Sequence, residues 1–129
     1  MQSIGEAARE TGVTAKMIRH YDSIGLVKPS VRSDAGYRYY ADADLHALRF
    51  VKRARNFGFS LEQTATLLAL WRDRHRASAA VKSMALAQVA ALDAKILELQ
   101  AMRQTLVHLA QNCRGNQRPE CPILEDLSA

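Results

Sequence analysis

A chain of 129 residues that is 48% apolar, only 6% aromatic and carries a formal net charge of +5 suits one domain, or a small domain with an appendage, built of helices rather than sheets. The charge is uneven: residues 1–76 hold 13 Lys/Arg against 8 Asp/Glu, whereas residues 77–129 hold 5 of each, so the surplus that points to an anionic partner such as nucleic acid belongs to the N-terminal part. No run approaches the ~18 apolar residues of a membrane span, charged Glu6, Arg9, Glu10 and Lys16 break any secretory segment, and no nucleophile–base pair, Gly-rich phosphate loop or carboxylate pair marks an enzyme; a cytoplasmic protein without membrane contact is expected.

Ser3 and Glu6 have the spacing of a capping box and open a short helix that stops near Gly12. Thr14 caps a second helix, Ala15 to about Ile24, and two short helices joined by so tight a turn form a helix-turn-helix. After Gly25, Lys28 and Pro29 begin extended chain. Val31–Arg32 and Tyr37–Tyr39 flank the turn signal at Ser33 to Gly36, which predicts a small hairpin, although Ala35 leaves its turn type open. Asp42 and Asp44 open a third helix that Gly58 closes, and Ser60 with Gln63 forms a second capping box for a fourth helix through about Trp71. Trp71 and the phenylalanines read as core, and Arg72 to Arg76 as a charged linker.

From Ser78 to about Asn112 the chain has no Gly or Pro, and Val89, Leu92, Ile96, Leu99, Met102, Leu106 and Leu109 recur at steps of three or four. This predicts a helix of roughly 50 Å. Its narrow apolar stripe is better buried by an identical helix than by its own small chain, so a dimerisation coiled coil and a homodimer are expected. The expected organisation is a DNA-binding domain with helical connector at 1–76, a dimerisation helix at 77–112, and a cysteine loop with a short tail helix starting at Pro122 over 113–129.

Lys16, Arg19 and Tyr21 are expected to project from the second helix while Met17 and Ile18 hold it to its neighbours, the layout of a recognition helix in the major groove. Arg32, Tyr37 and Arg38 on the hairpin make it a basic wing, and Arg55 adds a candidate phosphate contact. The plain alternative for any one of these is a solvated charge. Their grouping on neighbouring elements favours double-stranded DNA as the partner.

Cys113 and Cys121, the only cysteines, close a short loop beyond the long helix. They can form a disulfide, bind a soft metal, or do neither; in a reducing compartment the disulfide is the weaker reading. Thiolates favour soft ions such as Cu(I), and two suffice for a monovalent ion in linear coordination, whereas Zn(II) asks for four ligands, or three and water. Arg114, Gly115 and Pro119 give the loop a bend and a positive charge that favours thiolate. His108, five residues before Cys113, is weighed as a further ligand against a surface role; His20, His46 and His75 carry less information.

The run Met17 to Tyr21, Gly25-Leu26, Arg32, Gly36 to Tyr40, Arg53 with Arg55, and Gly58 to Ser60 resembles the MerR family of bacterial transcription regulators over nearly the whole chain. The resemblance implies a mainly α, winged helix-turn-helix protein with a long antiparallel coiled-coil helix, acting as a homodimer that distorts promoter DNA for RNA polymerase. It places Lys16, Arg19, Tyr21, Arg32, Tyr37, Arg38 and Arg55 where family members touch DNA. The Cys113–Cys121 loop resembles that of the family's copper-responsive branch. Divalent-metal sensors of the family carry a cysteine where this chain has Ser78, a serine that also suits a helix N-cap. The reading is therefore an activator sensing Cu(I), with Ag(I) or Au(I) as further effectors, for genes of copper efflux or detoxification. A thiol redox regulator of the same fold, and a copper-binding protein without DNA contact, are the rivals.

Overall fold

The computed structural model describes residues 1–129. In chain order its elements are β1 (Gln2–Ser3), α1 (Ile4–Thr11), α2 (Ala15–Ser23), β2 (Val31–Arg32), β3 (Arg38–Tyr40), α3 (Asp42–Asn56), α4 (Leu61–Arg72), α5 (Ser78–Asn112) and α6 (Pro122–Ser128). They fall into two units, 1–82 and 83–129, with the division inside α5.

In the first unit, local chemistry sets the helix ends. Ser3 Oγ accepts from the Glu6 amide while Glu6 returns the bond to the Ser3 amide, and Ser60 and Gln63 repeat the arrangement at α4. Each box satisfies two of the amides a helix start leaves open. Gly12 ends α1 in the left-handed region (φ 74°), its amide donating to the Ala8 carbonyl, a conformation that favours glycine. The buried Thr11 hydroxyl donates to the Ala7 carbonyl and accepts from the Val13 amide, and Thr14 Oγ1 accepts from the Met17 amide. These bonds fix the turn between α1 and α2.

The hairpin forms as expected, its turn closed by Gly36 at φ 86° with Gly36 N donating to the Ser33 carbonyl. The sheet, however, has a third strand: β1 pairs antiparallel with β3, Gln2 opposite Tyr40 and Ser3 opposite Tyr39, giving the order β1-β3-β2. The wing is thus anchored on the strand that leads into α1.

The core gathers Ile18 of α2, Tyr40 of β3, Leu48 and Val51 of α3 and Leu68 of α4, all nearly or fully buried. Full burial of the aliphatic members, Ile18, Leu48, Val51 and Leu68, is worth about 1.5–3 kcal/mol each. Tyr21 belongs to this cluster at 5% exposure, which corrects the expectation that it projects from the recognition helix. It lies three residues after Ile18 and so on the same inward face. Trp71 and Phe57 are also corrected: both are exposed, Trp71 stacked on Phe50 at 5.2 Å and Phe57 beneath the Arg53 guanidinium at 5.7 Å.

In the second unit, no residue of α5 is buried. Val89, Leu92, Ile96, Leu99, Met102 and Leu106 stand 43–58% exposed, so the apolar stripe is uncovered in the single chain. No helix is long and apolar enough to cross a membrane.

Candidate nucleic-acid interface and metal centre

Lys16 and Arg19 are exposed on α2, as a helix entering a groove requires. Arg32 and Arg38 come from β2 and β3, and both reach back to α2. The Asp22 carboxylate accepts from Arg38 Nε at 2.7 Å and from Arg32 Nη2 through the same oxygen, with the Asp22 side chain only 8% exposed. Burial raises the Asp22 pKa, but the bonds and charges of Arg38 and Arg32 outweigh it and hold the carboxyl below its ordinary value. Tyr40 is raised, first by its own burial and then by the Asp22 charge. Asp22 was not among the residues expected at the site. The signal available was an acid four residues after Ile18, on the inward face of a helix that two wing arginines follow.

Tyr37 is exposed at the hairpin, its amide donating to Ser33 Oγ. Arg55 is exposed near the end of α3, but its guanidinium donates to the Phe59 carbonyl at 2.6 Å, so it fastens the α3–α4 turn while leaving other N–H groups outward. Of the seven residues assigned to DNA, six are exposed or half-buried and Tyr21 is buried. Arg32→Ala is expected to weaken DNA binding and to lower the slope of log K against log salt by about 0.9 for each phosphate the protein no longer neutralises. A salt titration by fluorescence anisotropy measures it, and an unchanged slope removes Arg32 from the interface.

The second site is built by the end of α5 and the start of α6. The Cys113 amide donates to the Ala110 carbonyl as α5 ends. Gly115 turns the chain at φ 62°, the Asn116 side chain accepts from the Arg118 amide, and Pro122 begins α6 directly after Cys121. The loop returns Cys121 to Cys113, with 3.9 Å between the sulfurs of two free, half-buried thiols. That separation is well beyond the ~2.05 Å of a disulfide. It is about 0.7 Å short of the ~4.6 Å that two collinear metal–thiolate bonds of ~2.3 Å span, so a small opening of the loop would let the two sulfurs hold one soft ion between them. The Leu124 amide, helped by that of Ile123 and by the Cys113 thiol, favours thiolate at Cys121 and lowers its pKa against partial burial and the Glu125 charge.

No three His, Cys, Asp or Glu side chains of the chain converge as a metal cluster. His108 meets the Asn112 side chain at 3.2 Å. Ser78 is the first residue of α5. Cys121 and Pro122 edge a cleft of about 310 Å³ whose rim carries Arg114, Arg118, Glu120 and Glu125.

Residues 2–70 match the family model described as MerR HTH family regulatory protein, and residues 45–109 match the one described as MerR, DNA binding. The chain is 54% identical to Heavy metal-dependent transcription regulator 2 of Rhizobium meliloti, covering 98% of this chain and 86% of that protein. It is 43% identical to the HTH-type transcriptional regulator CueR of Salmonella typhimurium, covering 98% and 91%. Among solved structures it is similar to the transcription regulator PbrR691 of Ralstonia metallidurans in complex with lead(II), with a TM-score of 0.81, 28% identity, and coverage of 98% of this chain and 99% of that one.

Proposed function

The chain belongs to the MerR family of helix-turn-helix transcription regulators and is not an enzyme; from that premise we propose that it is a homodimeric activator that senses a monovalent soft ion, Cu(I) first and Ag(I) or Au(I) as further effectors, through Cys113 and Cys121. The observation that carries this reading is the pair of thiols 3.9 Å apart, one of them biased toward thiolate. The likeness to CueR and to a heavy metal-dependent regulator supports it. Two thiolates give a soft monovalent ion both of the donors that two-coordinate ligation needs and leave one negative charge at the site, whereas a divalent ion asks for more donors.

The ion would supply a bridge between two sulfurs that otherwise only touch. Cys113 ends α5 and Cys121 precedes α6, so their joint ligation fixes the loop between these helices. Leu124 and Leu127 of α6 stand exposed, an apolar face that docks when the loop is ordered. The DNA-binding units then hold promoter DNA in a distorted form that places its elements in register for RNA polymerase, with protein–DNA contacts offsetting the deformation cost. Metal must bind the active and resting states with different affinity for this switch to work. The cytoplasm, where the promoter and a reducing thiol environment coincide, is the compartment for this activity, and copper efflux or detoxification genes are its targets.

Transcription in vitro with reduced protein tests the reading: Cu(I) or Ag(I) is expected to raise transcript yield from the cognate promoter and Zn(II) is not. Two free thiols at this distance also suit a redox switch. Activation by peroxide, with no response to Cu(I), would favour that second reading. Ser78→Cys is expected to extend the response to Zn(II) or Hg(II) by supplying a third thiol; an unaltered divalent response makes Ser78 only a residue of the helix start.

A further inference from the structure

We infer that Asp22 is the positioning residue of the DNA interface: by holding Arg32 and Arg38 on one carboxylate oxygen it sets the wing at a fixed spacing from the recognition helix, and this spacing selects the operator. The inference rests on the DNA-binding reading of α2 and the hairpin and goes beyond it, because Asp22 itself is an acid that DNA would repel.

Three observations support it. Asp22 lies on α2, the helix that also exposes Lys16 and Arg19, whereas its two partners lie on separate strands of the wing. The carboxylate is nearly buried, at 8% side-chain exposure, while Arg38 is 26% and Arg32 49% exposed. Each arginine engages Asp22 through one edge only, Arg38 through Nε and Arg32 through Nη2. A guanidinium has five N–H donors in a fixed fork, so both keep donors for phosphate oxygens while their orientation is set from behind. Phosphate contacts determine the register and angle of a protein on the duplex. Two arginines left without Asp22 would repel each other and sample many poses. They would still attract any polyanion.

Electrostatics and positioning therefore predict opposite signs. Asp22→Asn removes a negative charge beside DNA. If Asp22 were only a charge, every duplex would bind more tightly. If it positions the wing, the duplex that the wild-type chain selects from a randomised library should bind about tenfold or more weakly, while a random-sequence duplex binds as before or more tightly.

The experiment measures both affinities for wild type, Asp22→Asn, Asp22→Glu and Arg38→Lys at one salt concentration, with thermal melts of each. A fall in the ratio of selected to random affinity in Asp22→Asn and in Arg38→Lys, with partial recovery in Asp22→Glu, is expected. Arg38→Lys keeps the charge and loses the Nε donor, so it carries the test if Asp22→Asn does not fold. Equal changes on both duplexes, or an unchanged ratio in Arg38→Lys, overturn the inference. Failure of the wild type itself to select any duplex would instead remove the DNA-binding reading on which the inference stands.

Discussion

Cys113→Ser and Cys121→Ser are each expected to abolish the metal-dependent rise in transcription while leaving DNA affinity in the absence of metal within about twofold of wild type, since the hydrogen-bond partners of the two sulfurs are each other and the amides of Ile123 and Leu124, not residues of the DNA-binding elements. The sulfurs converge because Cys113 follows the last turn of α5 and Cys121 precedes Pro122 at the first position of α6. Serine keeps that geometry but offers a hard, protonated oxygen where a soft ion requires a polarisable thiolate. One remaining sulfur cannot close the loop, so the bound and free states of the tail become indistinguishable to the ion. Loss of DNA binding in either variant would contradict a sensing loop separate from the DNA-binding unit.

A second large effect is expected at Ile96, midway along the uncovered stripe of α5 and 51% exposed in the single chain. If a second copy covers this stripe through a two-fold interface, one substitution is present twice. Ile96→Asp then removes two buried side chains worth ~1.5–3 kcal/mol each and places two carboxylates in an apolar seam. The dimer dissociation constant should rise by at least about a hundredfold, since each 1.4 kcal/mol is a factor of ten. Analytical ultracentrifugation across a concentration series reads this directly. Helicity by circular dichroism should fall with dissociation, because a long helix without a packed face is marginal in water. A variant that remains dimeric at wild-type concentrations would show that the stripe has another occupant.

Elements whose cause is local were legible in the sequence. The capping pairs Ser3–Glu6 and Ser60–Gln63 lie within one turn, and both form as written. The long helix announced itself by the lack of Gly or Pro from 78 to 112, and the hairpin by a turn signal that Gly36 satisfies in the left-handed region. Elements whose cause is distant were not legible. Strand β1 is two residues long and exists because Gln2 and Ser3 find Tyr40 and Tyr39, nearly forty positions away; no local periodicity encodes such pairing. The expectation that Tyr21 projects alongside Lys16 and Arg19 fails because its spacing from Ile18 places it inward. Asp22 in the sequence alone is an isolated acid near a helix end, which reads as solvated until Arg32 and Arg38 fold back on it. At the cysteine loop the spacing gave the ligand type, whereas the amides of Ile123 and Leu124 that favour thiolate at Cys121 depend on how α6 begins.

The most direct test of the central claim is a titration of the reduced protein with Cu(I), and separately with Ag(I), against a competing chelator of known affinity, read by thiolate-to-metal ultraviolet absorption. One ion per chain should bind, the signal should vanish in Cys113→Ser and in Cys121→Ser, and Zn(II) should not compete. Uptake of zinc in stoichiometric amount through other side chains, with no binding of either monovalent ion, would contradict it.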